Sequence, residues 1–384
     1  MPSCTAASVR IVPLAPHDTR AFIKFPWRVY RGDHLWIPPL ILERKAFLNV
    51  RKNPFFQHAH VQLFLARQGG ETVGRIAAVL NEVHDNFYHE RAGFFGLFEC
   101  LPEAEQAAAA LLNAAEAWGR ARGATFLRGP VNLSMNELDC GLLVEGFGAA
   151  PVFQSAYNPP CYADFIEANG FTKCKDLLAF YRHCHPPPSP RIRQLVERLQ
   201  ARRRVTIRPL RMSDFHAEVM QVAAIYNDAW SDNWGFIPIT DAEAQHLAQD
   251  LRLAVIPELA LVAEMEGEMV GCLISLPDLN QILQHLHGHL TPWGLLRFWY
   301  QRRRLDTMRM AIMGIKKRYR RLGIDLMLYV EIWKQAATLG VIRGEAGWIL
   351  EDNHLMLRAL KEMGAHAYKR YRLYQKDFTS VLRA

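Results

Sequence analysis

An α/β protein made of two tandem domains, each a twisted mixed sheet flanked by helices, is predicted by three observations. Short stretches recur in order at nearly constant spacing. Val9-Arg10-Ile11-Val12-Pro13-Leu14 returns 196 residues on as Val205-Thr206-Ile207-Arg208-Pro209-Leu210, and Gly74 in GGETVGRIAAVLN returns 197 on as Gly271 in EGEMVGCLISLPDLN. Asn158 and Gly170 return as Asn353 and Gly364, 195 and 194 on. Within each half, β-patterned runs surround one long helical stretch, the spacing of a crossover between parallel strands. Finally, Pro186-Pro187-Pro188-Ser189-Pro190 interrupts the chain near its midpoint, the composition of a linker. The expected division is a domain over 1–185, a Pro-rich linker with a basic helix over 186–204, and a second domain over 205–384.

The first half reads as an opening strand and helices, then a hairpin of Val61 to Ala66 and Val73 to Leu80 around Gly-Glu. Strand Gly93 to Glu99, helix Ala104 to Arg122, strand Thr125 to Arg128 and helix Tyr162 to Asn169 follow, before a closing strand. The second half repeats this order: Leu259 to Met265, Val270 to Leu276, Met308 to Ile315, helix Asp325 to Leu339, Gly344 to Leu350, helix His354 to Met363 and a closing strand.

Half of the 384 residues are apolar, 22% are charged and 11% aromatic, which excludes a disordered chain and allows sizeable cores. A net charge of +8 favours acidic partners, whether a nucleotide cofactor, an anionic membrane or nucleic acid. The opening MPSCTAASVRIVPL lacks a secretory pattern, and no run reaches the apolar length of a spanning helix. Cys4, Cys100, Cys140, Cys161, Cys174, Cys184 and Cys272 are scattered without CxxC spacing, as expected of reduced thiols in a cytoplasmic enzyme. His183-Cys184-His185 runs straight into the proline segment and reads as linker, not as a metal site. The basic runs Arg202-Arg203-Arg204 and Lys316 to Arg321 lack interleaved aromatics, so no nucleic-acid partner is expected.

The stretch that points to chemistry is Met308 to Asp325. An apolar strand ending in Met313-Gly314-Ile315 breaks into Lys316-Lys317-Arg318-Tyr319-Arg320-Arg321-Leu322-Gly323-Ile324-Asp325 and then a helix. Strand, glycine-containing turn and helix aim backbone N–H groups and the positive helix end at one spot, the geometry a phosphate needs. Five Lys or Arg within six residues add mobile positive charge there. The first half has Cys100-Leu101-Pro102-Glu103-Ala104-Glu105 at this point, acidic and without glycine, a poor place for a phosphate.

Arg320-Arg321-Leu322-Gly323-Ile324-Asp325 resembles the signature of the GNAT acyltransferase superfamily: Arg or Gln, two residues, Gly, one residue, then Gly or Ala. Asp325 departs from it. Together with DNWGFIP, SLPDLNQIL and WILEDN, it is similar to a subgroup of tandem GNAT proteins that includes the bacterial ceramide synthases. The resemblance spans roughly Val9 to Phe378. It implies transfer of a fatty acyl group from coenzyme A to the amine of a sphingoid base or similar lipid, with no metal. Two alternatives stay open: an acetyltransferase of a soluble amine, and a noncatalytic scaffold.

The resemblance also implies roles. Met313, Gly314, Ile315, Lys316, Arg318, Arg320, Arg321, Leu322, Gly323 and Ile324 would hold the acyl-CoA, with Asn353 on its pantetheine arm. Glu345 is the expected general base. Leu360 stands where many members carry the tyrosine that protonates the leaving thiolate, which leaves Tyr371 or Tyr374 as the acid. The acceptor is expected at Tyr226, Trp230, Asn233 and Trp234 in the second half, and at Asn132, Glu137, Tyr157 and Asn158 in the first. The insertion Leu279 to Arg304 sets Trp293, Leu295, Leu296, Phe298, Trp299 and Tyr300 beside Arg297 and Arg302-Arg303-Arg304. It reads as a segment in a membrane interface, as the wall of an apolar tunnel, or as a helical hairpin on the sheet. A cytoplasmic protein is therefore expected, at the inner face of the membrane if the first of these readings holds. His285, His287 and His289 alternate as on a strand.

Overall fold

A computed structural model describes residues 8–378 apart from 185, 253 and 303. Residues 1–7, with Cys4, and His185 and Arg303 lie outside the described residues, as does the side chain of Arg203. The chain forms two compact units. The first comprises Met1–Pro151, Ser155–Asp176 and Arg370–Ala384, the second Val152–Gln154 and Leu177–Lys369.

The first unit contains β1 (Arg10–Pro13), α1 (Arg20–Lys24), α2 (Pro26–Val29), α3 (Ile41–Phe47), β2 (Ala59–Gln68), β3 (Glu71–Asn81), α4 (Glu82–Tyr88) and β4 (Ala92–Cys100). It continues with α5 (Glu105–Arg120), β5 (Phe126–Gly129), β6 (Leu142–Glu145), α6 (Tyr162–Ala168) and the start of β7 (Thr172–His183). The second unit holds the rest of β7, then α7 (Pro190–Arg203), β8 (Val205–Pro209), α8 (Phe215–Trp230), α9 (Asp241–Leu251), β9 (Ala260–Met265), β10 (Glu268–Pro277), α10 (Asn280–Leu283) and α11 (Pro292–Gln301). After these come β11 (Thr307–Ile315), α12 (Ile324–Thr338), β12 (Arg343–Leu350), α13 (His354–Glu362) and β13 (His366–Asp377). The β13 residues from Arg370 onward count with the first unit.

Each sheet is mixed, as predicted. In the first, the neighbours run β1-β2-β3-β4-β5-β13, with β4 and β5 parallel at Ala92–Phe94 and Phe126–Arg128. In the second they run β7-β12-β11-β10-β9-β8, with β11 and β12 parallel at Thr307–Met310 and Arg343–Ala346. The two long hairpins turn through paired positive φ values, 59° and 86° at Gly69-Gly70 and 52° and 81° at Glu266-Gly267, which matches the twist of the flanking strands. The crossover helices are buried on one side: Ala107, Ala108, Leu111, Leu112 and Ala115 on α5, and Ile324, Met327, Leu328, Val330 and Ala336 on α12. These helical-period faces cover the two sheets and form the two main cores with Ile76, Phe95 and Leu127 in one and Leu261, Val270 and Leu273 in the other. Predicted and observed elements coincide to within one or two residues over most of the chain.

Two expectations change. Helix α7, expected as the basic helix of the linker, packs on the second unit: Val196 is buried in the second core and Leu199 packs against it. The closing strand β13 does not stay with its own half, because Tyr374–Asp377 pairs with β5 and Arg370–Arg372 pairs with β6. The insertion is helical, α10 followed by α11. Among the described residues, no helix is long and apolar enough to cross a membrane.

Candidate active site

Strand β11 carries the site's backbone. Ile274 of β10 faces Ile312 and Ser275 faces Met310, so Ala311 is an extra residue, a β-bulge. Pairing with β12 ends at Met310, whereas pairing with β10 continues to Ile315. From the bulge onward β11 therefore ladders on one side only, and the sheet forks. Helix α8 closes over the fork's edge. A Cβ on Gly314 would lie 3.1 Å from Ile225 and 3.4 Å from Ala229, so the absent side chain is what lets α8 approach. At the end of α8, the Trp230 indole Nε1 donates to the Met313 carbonyl at 3.1 Å and its ring lies 4.9 Å from that of Tyr226. The Asn233 N–H bonds back to the Trp230 carbonyl, and Trp234 follows in the same turn. Of the four residues expected at the acceptor in this half, Trp230 thus touches β11, with Tyr226 against its ring.

Beyond Ile315 the chain makes the basic turn. Gly323 caps α12 at φ 78°, and no side chain caps the helix. The first N–H groups of a helix have no intrahelical acceptor, so at α12 they present a positive end to any anion. The side chains around it are less free than the sequence suggests. Glu268 accepts from Lys316 at 2.7 Å, from the Tyr319 hydroxyl at 2.8 Å and from Arg318. Those hydrogen bonds hold its carboxyl down at about 2. Lys317 Nζ reaches Asp232 at 2.8 Å, its N–H donates to Asp228 at 2.6 Å, and Arg320 donates to the Ala229 carbonyl. Four of the five cations are thus tethered, while Arg321, at φ 64°, is exposed. Asp325 is also exposed, on the first turn of the helix. Tethering lowers the entropy of ordering a basic turn around an anion.

Where the sheet forks, the second unit buries a charge cluster. Glu345 lies opposite Arg309 in the β11–β12 ladder, fully buried, with Arg309 Nε 3.3 Å from its carboxylate. Tyr368 donates its hydroxyl to the same carboxylate. The Arg309 guanidinium also donates to the carbonyls of Phe153, at 2.9 Å, and Gly347. Lys369 and Asp278 complete the cluster, both buried. Burial pushes the Lys369 ammonium down to about 8, with Glu345 pulling the other way. Burial likewise pushes the Asp278 carboxyl up to about 6, against backbone N–H groups of Phe153 and Asn280 that favour its charged form. A buried cluster with displaced titration ranges can exchange protons near neutral pH.

The sequence pointed to Glu345 but not to its partners. One signal was available: Arg309 is a lone charge inside the apolar run MRMAIMGI, and a charge in a buried strand requires a partner. Tyr368 and Lys369 carried none, since long-range pairing places them. Asn353 caps α13, its side chain accepting from Met356 N–H. Leu360 is buried against Phe180 and Ala346, so no acid arises there. Nor does the insertion supply a metal site: His285, His287 and His289 lie in an exposed turn region, not on a strand, and among the described residues no group of His, Cys, Asp and Glu could hold a metal ion.

The remaining predicted residues belong to the first unit. Tyr371 is buried on β13 opposite Leu143 of β6, and the Tyr374 hydroxyl is bonded to Glu167 at 3.0 Å. The Asn132 side chain accepts from Leu97 N–H at 2.8 Å and donates to the Asp139 carbonyl at 3.1 Å. Asn158 brackets Leu143, accepting from its N–H at 2.7 Å and donating to its carbonyl. Tyr157 donates to Asp33 at 2.7 Å, and Glu137 sits in a turn closed on Ser134. The amides of Asn132 and Asn158, expected on the acceptor, brace loops inside this unit.

No family model matches the chain. It is 37% identical over 380 residues to a protein named bacterial ceramide synthase from Caulobacter vibrioides, covering 97% of this chain and 98% of that one. It is 35% identical over 371 residues to Protein YghO of Escherichia coli, covering 95% and 94%. In structure it is similar to a tandem GNAT protein from the clavulanic acid biosynthesis pathway, with a TM-score of 0.59 at 13% identity over 96% of this chain and 98% of that one. A GCN5-related N-acetyltransferase from Sphaerobacter thermophilus gives 0.52 at 15% identity, covering 96% and 95%. At these identities the structural likeness speaks for the fold.

Proposed function

We propose, from the premise that this chain belongs to the tandem GNAT N-acyltransferases of the bacterial ceramide synthase group, that it moves a fatty acyl group from acyl-CoA to the amine of a lipid such as a sphingoid base, and that the second unit does so. The observation that carries this reading is the fork itself. A strand that parts from its neighbour at a bulge runs into a glycine-capped basic turn, and a buried carboxylate sits one residue before the parting. The near full-length likeness to a bacterial ceramide synthase supports the lipid acceptor.

The residues divide the work as follows. The uncapped end of α12, Leu322, Gly323, Ile324 and the arginines Arg318, Arg320 and Arg321 would hold a diphosphate, and Asn353 stands at the start of the next helix for the carrier's arm. Lys316 fixes Glu268 beside the turn. Acyl-CoA supplies an activated acyl group. Met313 and Ile315, alternating with Gly314 and Lys316 that face β10, would present backbone N–H groups on the strand's free side, the arrangement that favours a developing oxyanion. Trp230 and Tyr226 wall the acceptor's approach to that strand. Glu345, fixed by Arg309 and Tyr368, takes the ammonium proton so that the amine can attack. Lys369, whose ammonium burial pushes down to about 8, would pass that proton on to the thiolate that leaves as the C–S bond breaks and the amide forms.

The test is thiol release by purified protein with a series from acetyl- to stearoyl-CoA, against a sphingoid base and a water-soluble amine. Turnover confined to long-chain donors with the lipid amine supports the reading. Faster turnover of acetyl-CoA with the soluble amine replaces it with an acetyltransferase of small molecules.

A further inference from the structure

Helix α11 carries its apolar side outward. Its start is built: Thr291 caps it by accepting from Gly294 N–H at 3.0 Å, and Pro292 occupies the first turn. Gly294 faces inward, where an added Cβ would lie 2.8 Å from Leu286, and Phe298 and Gln301 follow on that side, partly buried. The opposite side shows Trp293 at 80% exposure, Tyr300 at 65%, Leu296 at 61%, Trp299 at 45% and Leu295 at 41%. Five of the thirteen exposed large apolar side chains among the described residues therefore lie on ten residues of chain. A concentration of this kind marks an interaction surface, unlike a scatter of single residues.

The charge around it selects the partner. Between Asp278 and Asp306 the sequence has no carboxylate. The Arg302 guanidinium lies 4.1 Å above the Trp299 ring, and that of Arg304 lies 4.2 Å from the Tyr300 ring with a hydrogen bond of 2.7 Å to its hydroxyl. Arg297 is held along the helix by Gln301 at 3.1 Å. Aromatic rings bearing guanidinium groups, with leucines between them, suit a water–lipid boundary lined with phosphates. A two-fold contact between two copies would instead set arginines against arginines with no carboxylate to pair them.

We propose that α11 docks this protein on an anionic phospholipid surface, with Trp293, Leu296, Trp299 and Tyr300 among the headgroups and Arg297, Arg302 and Arg304 on their phosphates. The inference rests on α11 alone and does not require that the acyl acceptor be a lipid. The experiment is flotation of the full-length protein with phosphatidylcholine vesicles, with and without phosphatidylglycerol. Wild-type protein is expected to float with the anionic vesicles and hardly at all with the neutral ones. Trp293→Ala with Trp299→Ala should weaken that binding about tenfold or more. Arg297→Gln with Arg302→Gln should weaken it about fivefold per arginine, the factor that about 1 kcal/mol represents. Both pairs are on the surface, so an unchanged Tm separates lost docking from lost fold. A wild-type protein that ignores both vesicle types, or tryptophan variants that bind as well as wild type, overturns the proposal. So does a dimer that the tryptophan variants dissociate, since it assigns the face to a second copy. Turnover of a monomeric short-chain acceptor should survive in these variants, so the acyl-transfer reading stands or falls separately.

Discussion

The first unit also forks its sheet, and what it does with the fork differs. Its β4 leaves β5 after Phe94 and bulges between Gly96 and Glu99, with Leu97 at φ 48°. There the chain fills its own opening. Val131 N–H donates to the Phe95 carbonyl at 2.7 Å, Asn132 caps Leu97 N–H, and Val131 O would lie 1.8 Å from a Cβ on Gly96. The alignment of Gly74, opposite Cys100, with Gly271, opposite Ile315, sets Glu99 where the second unit has Gly314. Glu99, its side chain 13% exposed, accepts hydrogen bonds of 2.9 Å each from Tyr30 and Tyr162, with Arg75 at 3.8 Å. Bulge and fork thus belong to the fold, and the site proposed in the second unit would depend on its fork not being filled in this way. The first copy fills its fork with its own chain.

Disturbing that filled fork should have the largest effect. Gly96→Ala drives a Cβ into the Val131 backbone, which cannot yield as a side chain end can, and should cost at least about 4 kcal/mol in urea unfolding. Wild-type stability would mean that the loop is not wedged there. Next comes Glu345→Gln in the second fork, with kcat expected to fall about a hundredfold. The deficit should shrink at pH values where the acceptor amine is already neutral; the same loss at every pH would remove Glu345 as the base.

Glu99 tests the other side of the comparison. Burial pushes its carboxyl up to about 7, against the pull of Arg75 and of the two tyrosine hydrogen bonds. Its folded pKa therefore exceeds the unfolded value, the native state binds more protons across this window, and stability should fall as pH rises from about 4.5 to about 7. Glu99→Gln is expected to flatten this slope, a difference on the order of 2 kcal/mol at pH 7, while kcat stays near wild type. A collapse of kcat would mean that the first fork takes part in the chemistry. The smallest effect is expected from Arg320→Ala with Arg321→Ala, about a tenfold rise in the KM for acyl-CoA with kcat little changed. Unaltered kinetics would dissociate these arginines from the cofactor.

The sequence was informative where structure is local. Glycine-containing turns fixed the hairpins, helical periods fixed α5 and α12, and offsets of 194 to 197 residues revealed the duplication. It was silent where distant segments meet. Nothing in His366–Asp377 states that its later residues join β5, because a strand's residues specify that it pairs and not with which edge. The partners of Glu345 escaped for the same reason, except Arg309. Amphipathy in α11 was visible as composition, but which side packs inward depended on Gly294 meeting Leu286, a contact no periodicity encodes.

The exchange of closing strands has a bearing on how the molecule is made. The edge that β5 offers in the first unit is covered, among the described residues, by Tyr374–Asp377, a segment that follows the whole second unit's helices in the chain. During synthesis the N-terminal layer must wait, with a bare strand flank, until that distant segment has emerged. Neither half expressed from a bisected gene would bring every strand its sheet needs, so the pair inherits and is lost as one piece.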